Sequence, residues 1–191
     1  MRKNNLGRAK MLALDAMIAG ILLFLDQFTK YLAITHLKGQ PAIVLIEGVL
    51  ELQYVENRGS AFSLLQNQKA LILCLGFGLL AVLLFTVFRV PPNKKFCIVH
   101  IMLAALIAGA LGNIIDRIRF DYVVDFISFV LIHFPVFNAA DCFIVVCTII
   151  LFLLFLFVYG EEDLEFLNLK AKKEHSMEKE HSMEKEHSIK E

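Results

Sequence analysis

The chain has 191 residues, of which 58% are hydrophobic, and its formal net charge is zero. Soluble globular domains contain about 45–50% apolar residues. This composition and a mean hydropathy of +0.65 therefore exclude an ordinary soluble domain and favour a membrane protein.

Four apolar stretches approach or exceed the roughly 20 residues that a membrane-spanning helix needs. They cover about 12–34, 69–89, 96–116 and 137–159. The first stretch follows a basic N-terminus, as in a secretory signal, but no small-residue cleavage site follows it. We therefore expect this stretch to be retained as the first span.

Basic residues lie before the first span and in the loop after the second span. The positive-inside rule places both regions in the cytoplasm. Four spans with this orientation put both termini inside and leave residues 35–68 and 117–136 on the outer side.

Residues 41–65 mix β-branched and aromatic residues with Gly48 and Gly59, and this pattern predicts short strands. These strands would form a small cradle over the outer helix ends. Residues 119–129 are predicted to add a strand pair, and the Pro91-Pro92-Asn93 turn would make spans two and three antiparallel neighbours. The predicted fold is a mainly α membrane domain, residues 1–160, with four transmembrane helices and a β-rich extracytoplasmic cradle.

Residues 161–191 are expected to form a charged, disordered cytoplasmic tail. From Lys173 onward the tail repeats Lys-Glu-His-Ser-Met-Glu with a period of six. Its His175, His181 and His187 could bind a metal weakly, but a repeat expansion without a role is favoured. The four cysteines all lie in apolar segments, and we expect them to pack as small hydrophobes.

The predicted topology gathers the polar residues of the spans at the outer face, and only Asp15 is left near the inner end. Residues three or four apart share a helix face. The resulting polar groups are Asp26 with Lys30, Asn113 with Asp116 and Arg117, and Asn138 with Asp141. Outer-loop residues Glu56, Asn57 and Arg58 can meet them there.

Two acids, Asp125 and Asp141, have no basic neighbour at helical spacing. Two carboxylates brought together at low dielectric cannot both ionise easily, so one keeps a proton. Such a pair could activate water and protonate an amide carbonyl. The other charged residues at this face have a simpler interpretation. Asp26 with Lys30, and Asp116 with Arg117, could form ion pairs that only neutralise charge at the helix ends. Gly109 and Gly112 favour close helix packing.

Five blocks of the sequence, in this order, resemble the motifs of the lipoprotein signal peptidase family. This family, also called signal peptidase II, consists of bacterial membrane aspartic peptidases. The similarity covers roughly residues 10–160. The blocks are Asp26-Gln27-Phe28-Thr29-Lys30, Asn57-Arg58-Gly59-Ser60-Ala61-Phe62-Ser63, Gly112-Asn113-Ile114-Ile115-Asp116-Arg117, Val123-Val124-Asp125-Phe126 and Phe137-Asn138-Ala139-Ala140-Asp141.

The resemblance implies that Asp125 and Asp141 are the catalytic pair, without a metal or cofactor. The implied supporting or substrate-binding residues are Asp26, Lys30, Asn57, Gly59, Asn113, Asp116, Arg117 and Asn138. The implied substrates are prolipoproteins whose cysteine carries a diacylglyceryl group. The implied location is the bacterial inner membrane, where the protein contacts membrane lipid. Inhibition by globomycin, a monomeric state and no nucleic-acid partner are also expected.

Two positions depart from the family pattern, because Arg58 fills a position that is often small or neutral and Ser60 replaces a usual Ala. We expect the chemistry to be unaffected. The main alternative is a small proton-coupled transporter or channel, but transporter sites usually lie near the midplane between internal repeats. A third alternative is an assembly scaffold with structural ion pairs, which would tolerate Asn at either acid.

Overall fold

The computed structural model describes residues 2–59, 68–132, 134–160 and 162–164. Four of its helices are long and apolar enough to cross a membrane, which confirms the four predicted spans and a multi-pass membrane protein. They are α1 (Arg2–His36), α2 (Lys69–Arg89), α3 (Cys97–Phe120) and α4 (Ala139–Phe157). The three strands are β1 (Ile43–Ile46), β2 (Leu50–Asn57) and β3 (Val123–Phe129).

Helix α3 lies at the centre of the bundle and packs against α1, α2 and α4. Within its most apolar window 67% of residues are buried, against 11–17% in the other three helices. Those three helices therefore turn most of their large apolar side chains outward, where lipid can solvate them. The predicted turn is confirmed, since Asn93 accepts a hydrogen bond from the backbone of Phe96 just before α3.

The three strands form one antiparallel sheet in the order β1-β2-β3. Residues 119–129 supply one strand of this sheet, so the prediction of a strand pair there is wrong. Within the described residues, the sheet gains only an isolated bridge beyond β3, between Ile127 and Phe137. The segment around Phe137 is too short to form a strand, because Phe137 immediately precedes the N-cap of α4 and the chain turns into that helix.

The sheet covers one end of the bundle, which we call the sheet end. Ala33 and Leu37, in and just after the last turn of α1, pack against Val124 and Phe126 of β3. Successive side chains of a strand point to opposite faces, so the side chain of Asp125 points away from these apolar contacts. This places Asp125 within a strand that is held between α1 and β2.

Some predicted features lie outside the described residues. They are Ser60, the last part of the predicted 41–65 strand region, and the tail apart from residues 162–164. Of the four cysteines, which are all free, Cys147 is buried in the apolar core as predicted, whereas Cys74 is exposed on α2.

Candidate active site

Asp125 is buried in β3 with 1% of its surface exposed. Its Oδ2 accepts a hydrogen bond from Asn57 Nδ2 at 2.8 Å, and its Oδ1 accepts one from Asn138 Nδ2 at 2.6 Å. Burial raises the pKa of the Asp125 carboxyl to about 7, and the nearby charge of Asp141 adds to this rise. The two asparagine hydrogen bonds oppose the rise without cancelling it. Asp125 therefore holds a proton far more readily than an ordinary aspartate.

Asp141 lies in the first turn of α4 and is held by the helix cap. The Asn138 side chain accepts from the Asp141 backbone N–H at 3.1 Å, and Asp141 Oδ2 accepts from the Asn138 N–H at 3.2 Å. Asp141 Oδ1 also accepts from Asn113 Nδ2 at 2.8 Å. Both carboxyl oxygens of Asp141 therefore have fixed hydrogen-bond donors beside the start of α4. A helix N-terminus stabilises negative charge.

One asparagine connects the two acids, since Asn138 caps α4 at Asp141 and donates to Asp125. The structure thus brings together the strand acid and the helix acid that the sequence placed 16 residues apart. Asn138 is completely buried, which excludes bulk water from this link.

The amide groups of two further asparagines are oriented by hydrogen bonds to their carbonyls. Asn57 Oδ1 accepts from the Gly59 N–H at 3.0 Å, and Asn113 Oδ1 accepts from Lys30 Nζ at 3.0 Å. An amide whose oxygen is engaged in this way presents its NH2 group elsewhere. For Asn57 and Asn113, that group faces Asp125 and Asp141 respectively.

A buried ionic cluster supports this arrangement from below. Lys30 Nζ lies 3.0 Å from Asp26 Oδ2, 2.9 Å from Asp116 Oδ2 and 3.0 Å from Asn113 Oδ1, which uses all three of its donors. Lys30, Asp26 and Asp116 are each at most 2% exposed. The predicted pairing of Asp26 with Lys30 is therefore confirmed.

The predicted ion pair between Asp116 and Arg117 is wrong. Asp116 pairs with Lys30 of α1, whereas the Arg117 guanidinium donates to the Asn113 carbonyl at 3.1 Å and to the Gly59 carbonyl at 2.8 Å. Adjacent residues on a helix point about 100° apart, so these two side chains face different neighbours. Arg117 thereby connects the segment just after β2 to α3. Its positive charge also interacts electrostatically with both candidate catalytic acids.

Sequence reasoning missed Gln27, which completes the ionic cluster. Its Nε2 donates to Asp116 Oδ1 at 3.0 Å and to Asp26 Oδ2 at 3.2 Å. The only indication of this role in the sequence is that Gln27 lies inside the block from Asp26 to Lys30. Asp15, which the sequence placed apart from the other polar residues, lies 2.8 Å from His100 on α3 at the other end of the bundle.

Only Asn57 of the three outer-loop residues reaches the acids. Glu56 accepts from Lys38 Nζ at 3.0 Å and from Arg58 at 3.3 Å, and this contact with Lys38 lowers the pKa of the Glu56 carboxyl. Arg58 also lies over the Tyr122 ring at 5.5 Å. The departure from the family pattern at Arg58 is thus accommodated on the surface.

Two glycines of α3 allow α4 to approach it closely. A Cβ atom on Gly109 would lie 2.7 Å from the Ala140 carbonyl oxygen, and one on Gly112 would overlap the Asp26 carboxylate. The carboxylate there accepts from the Ala140 N–H at 2.9 Å. The packing role predicted for these glycines therefore also brings α1 and α4 to the site.

Gly112→Ala is expected to lower the free energy of unfolding by about 1–3 kcal/mol, because the added methyl group must displace Asp26. Gly78→Ala is the matched control, since a Cβ there meets nothing within 4 Å. It should be neutral or stabilise by up to about 1 kcal/mol. Thermal unfolding in detergent micelles compares the two variants, and equal melting temperatures would contradict the steric argument.

The family model for signal peptidase (SPase) II matches residues 18–157 of the chain. The lipoprotein signal peptidase of Caldanaerobacter subterraneus subsp. tengcongensis is 44% identical over 144 residues, which cover 75% of this chain and 96% of that protein. The lipoprotein signal peptidase of Clostridium tetani is 35% identical over 153 residues, covering 78% and 97%.

A solved structure shares the fold as well. It is a bacterial membrane enzyme determined by the in meso method at 1.9 Å resolution, with a TM-score of 0.67 and 27% identity. The match covers 77% of this chain and 95% of that one. The region that the family model matches, residues 18–157, contains the polar residues of the site from Asp26 to Asp141. The chain therefore belongs to the signal peptidase II family.

Proposed function

We propose that the chain is an aspartic endopeptidase that removes the signal peptide from diacylglyceryl-modified prolipoproteins. The observation that carries the proposal is the pair of acids, Asp125 and Asp141, hydrogen-bonded to one buried asparagine. Membership of a signal peptidase family supports the reaction class. The acid pair supports the aspartic mechanism.

In this mechanism Asp125 is the acid and Asp141 is the base. Asp125 is buried and its pKa is raised to about 7, so it starts protonated. Asp141 is more exposed and lies at a helix N-terminus, where a negative charge is favoured. The two environments thus separate the roles of two chemically identical groups.

The proton transfers balance over two steps. In the first step, Asp141 takes a proton from a water molecule while the water oxygen bonds to the scissile carbonyl carbon. In the same step, Asp125 gives its proton to the carbonyl oxygen. The gem-diol intermediate then collapses. Asp141 returns its proton to the amide nitrogen, Asp125 recovers a proton from a hydroxyl group, and the C–N bond breaks. Both acids end in their starting states.

The supporting residues would act in two groups. Asn57, Asn113 and Asn138 hold the acids through oriented amides, and Arg117 holds the backbone of Gly59 beside them. Asp26, Lys30 and Asp116 form the ionic cluster beneath, which fixes Asn113. None of these residues needs to exchange a proton in the mechanism.

The proposed orientation places the sheet end at the outer face of the bacterial inner membrane, with both termini in the cytoplasm. The supporting observation is charge, since Arg8, Lys10, Arg89, Lys94 and Lys95 all lie at the opposite end of the bundle. A substrate anchored by its diacylglyceryl group would then present its peptide bond at the depth of Asp125 and Asp141.

The test uses purified full-length protein in micelles with a prolipoprotein that carries, or lacks, the diacylglyceryl group. We expect cleavage of the lipid-modified substrate only, directly before the modified cysteine, and inhibition by globomycin. No cleavage, together with a proton flux into sealed vesicles that either acid's replacement abolishes, would favour the transporter alternative. Cleavage of both substrates equally would refute recognition of the lipid.

The activity of the enzyme is expected to fall as the pH rises through about 7. Below this value Asp125 keeps its proton, and above it both acids are charged and the carbonyl oxygen loses its proton donor. The profile of kcat/KM against pH reports the free enzyme, and its midpoint belongs to the coupled pair. A profile that stays flat to pH 9 would contradict the assignment of Asp125 as the acid.

A further inference from the structure

A second polar contact joins α1 to α3 at the end of the bundle opposite the sheet. Asp15 Oδ2 lies 2.8 Å from His100 Nδ1, and the two side chains are 7% and 2% exposed. Asp15 Oδ1 and His100 Nε2 are buried without a hydrogen-bond partner in the described part of the chain. Ionisable groups at membrane depth are costly, and the proposed peptidase reaction does not use this pair.

Helix α1 contacts the bundle along a narrow stripe whose buried residues are mostly ionisable, while Leu12 and Leu22 are only partly buried against the core. From Gly7 onward its fully buried residues are Asp15, Asp26, Lys30 and Ala33. Asp15 and Asp26 are 11 residues apart, which is close to three turns of 3.6 residues, so they lie on one face. Three of these four buried residues are ionisable, and the fourth packs on the sheet.

Such a stripe determines helix register in a way that apolar side chains do not. Lipid tails solvate leucine as well as a neighbouring helix does, so apolar contacts hardly specify the axial position of one helix against another. The contact of Asp15 with His100 and the contacts of Lys30 with Asp116 and Asn113 start 15 residues apart on α1. They therefore lie about 22 Å apart along α1, at a rise of about 1.5 Å per residue. Two polar contacts at that separation define both the height and the tilt of α1 on α3.

We propose that Asp15 and His100 are positioning residues whose contact holds α1 in register with α3. The register keeps Lys30 bonded to Asn113, and Asn113 in turn donates to Asp141. A slip of one turn would move Lys30 by about 5.4 Å and break this chain of contacts. The link from register to activity rests on the proposed peptidase function, whereas the register itself does not.

The decisive variant replaces both residues, Asp15→Leu with His100→Leu. Replacing a buried polar pair by apolar residues is often neutral or stabilising, so the melting temperature should be unchanged or higher. The kcat for the lipid-modified substrate should nevertheless fall about tenfold or more, with KM within about twofold, because small misplacements at a catalytic group cost large factors. A purely structural pair would leave kcat unchanged.

Two controls separate register from stability. The exchanged pair, Asp15→His with His100→Asp, keeps the contact and should restore kcat to within about threefold of wild type. Val99→Ala, at a buried residue beside His100, should lower the melting temperature but leave kcat unchanged. Failure of the exchanged pair to recover any activity, in a protein that still unfolds cooperatively, would count against the proposal.

A distance measurement tests register without any substrate. Spin labels replace the lipid-facing residues Tyr31 of α1 and Ile118 of α3, which are 60% and 55% exposed, after the four cysteines are removed. We expect the distance distribution to broaden or shift in the double leucine variant and to return in the exchanged pair. An unchanged distribution overturns the register proposal, and a changed one with unchanged kcat overturns the positioning role. Absence of cleavage by wild type would refute the proposed function alone.

Discussion

Asp125→Asn and Asp141→Asn are each expected to reduce cleavage of a diacylglyceryl-modified prolipoprotein by about 10³-fold. Asparagine has nearly the shape of aspartate, but it can neither hold nor release the transferred proton. Asp125→Asn also turns an amide NH2 group toward Asn57 or Asn138, both of which are donors. This variant should therefore lose some stability in addition to its activity, and its kcat is measured on cooperatively folded protein.

The matched control for these variants is Asp121→Asn. Asp121 is an exposed acid at the end of α3 with φ of 69°, a left-handed conformation that asparagine tolerates. It pairs with Lys69 on the surface, so its loss should change kcat by less than about twofold. Cleavage at wild-type rates by either Asp125→Asn or Asp141→Asn would refute the acid pair.

Lys30→Met is expected to be the most destabilising single change, with a loss of about 3–5 kcal/mol in the free energy of unfolding. The methionine fills the space of the lysine stem, but Asp26 and Asp116 remain buried without their cation. Asn113 also loses the donor that orients its amide. Activity should therefore fall even under conditions where the protein stays folded.

The control is Lys38→Met, because Lys38 makes the same kind of contact with Glu56 but is 51% exposed. Its loss should lower the free energy of unfolding far less than the loss of Lys30, because solvent screens the exposed pair. Unfolding by SDS in mixed micelles, followed by circular dichroism, compares the two lysines. Adding Asp26→Asn and Asp116→Asn to Lys30→Met should recover part of the lost stability. Equal midpoints for Lys30→Met and Lys38→Met would show that burial of the cluster does not matter.

Several features were predictable because they depend on local physics. The thickness of the hydrocarbon core sets the length of each span, and the four spans are where their hydropathy placed them. The contact of Asp26 with Lys30 and the capping of Asp141 by Asn138 also follow from spacings of four and three residues. Each of these joins groups that one helix brings together wherever it packs.

The partners of Asp116 and Asp15 were not predictable in the same way. Lys30 and Gln27 reach Asp116 across 86 and 89 positions of sequence, and His100 reaches Asp15 across 85. Such contacts depend on how α1 is rotated and how deeply it lies against α3.

The sequence by itself therefore determined the helices, the end at which polar residues gather, and the two acids that stand without local partners. Only the tertiary structure decided which cation neutralises Asp116, which amides hold Asp125 and Asp141, and that Asp15 is paired. The physical reason is that apolar side chains are equally well solvated by lipid and by protein. Helix rotation and register are consequently specified by a few polar contacts between distant residues, which become visible only once the helices are packed.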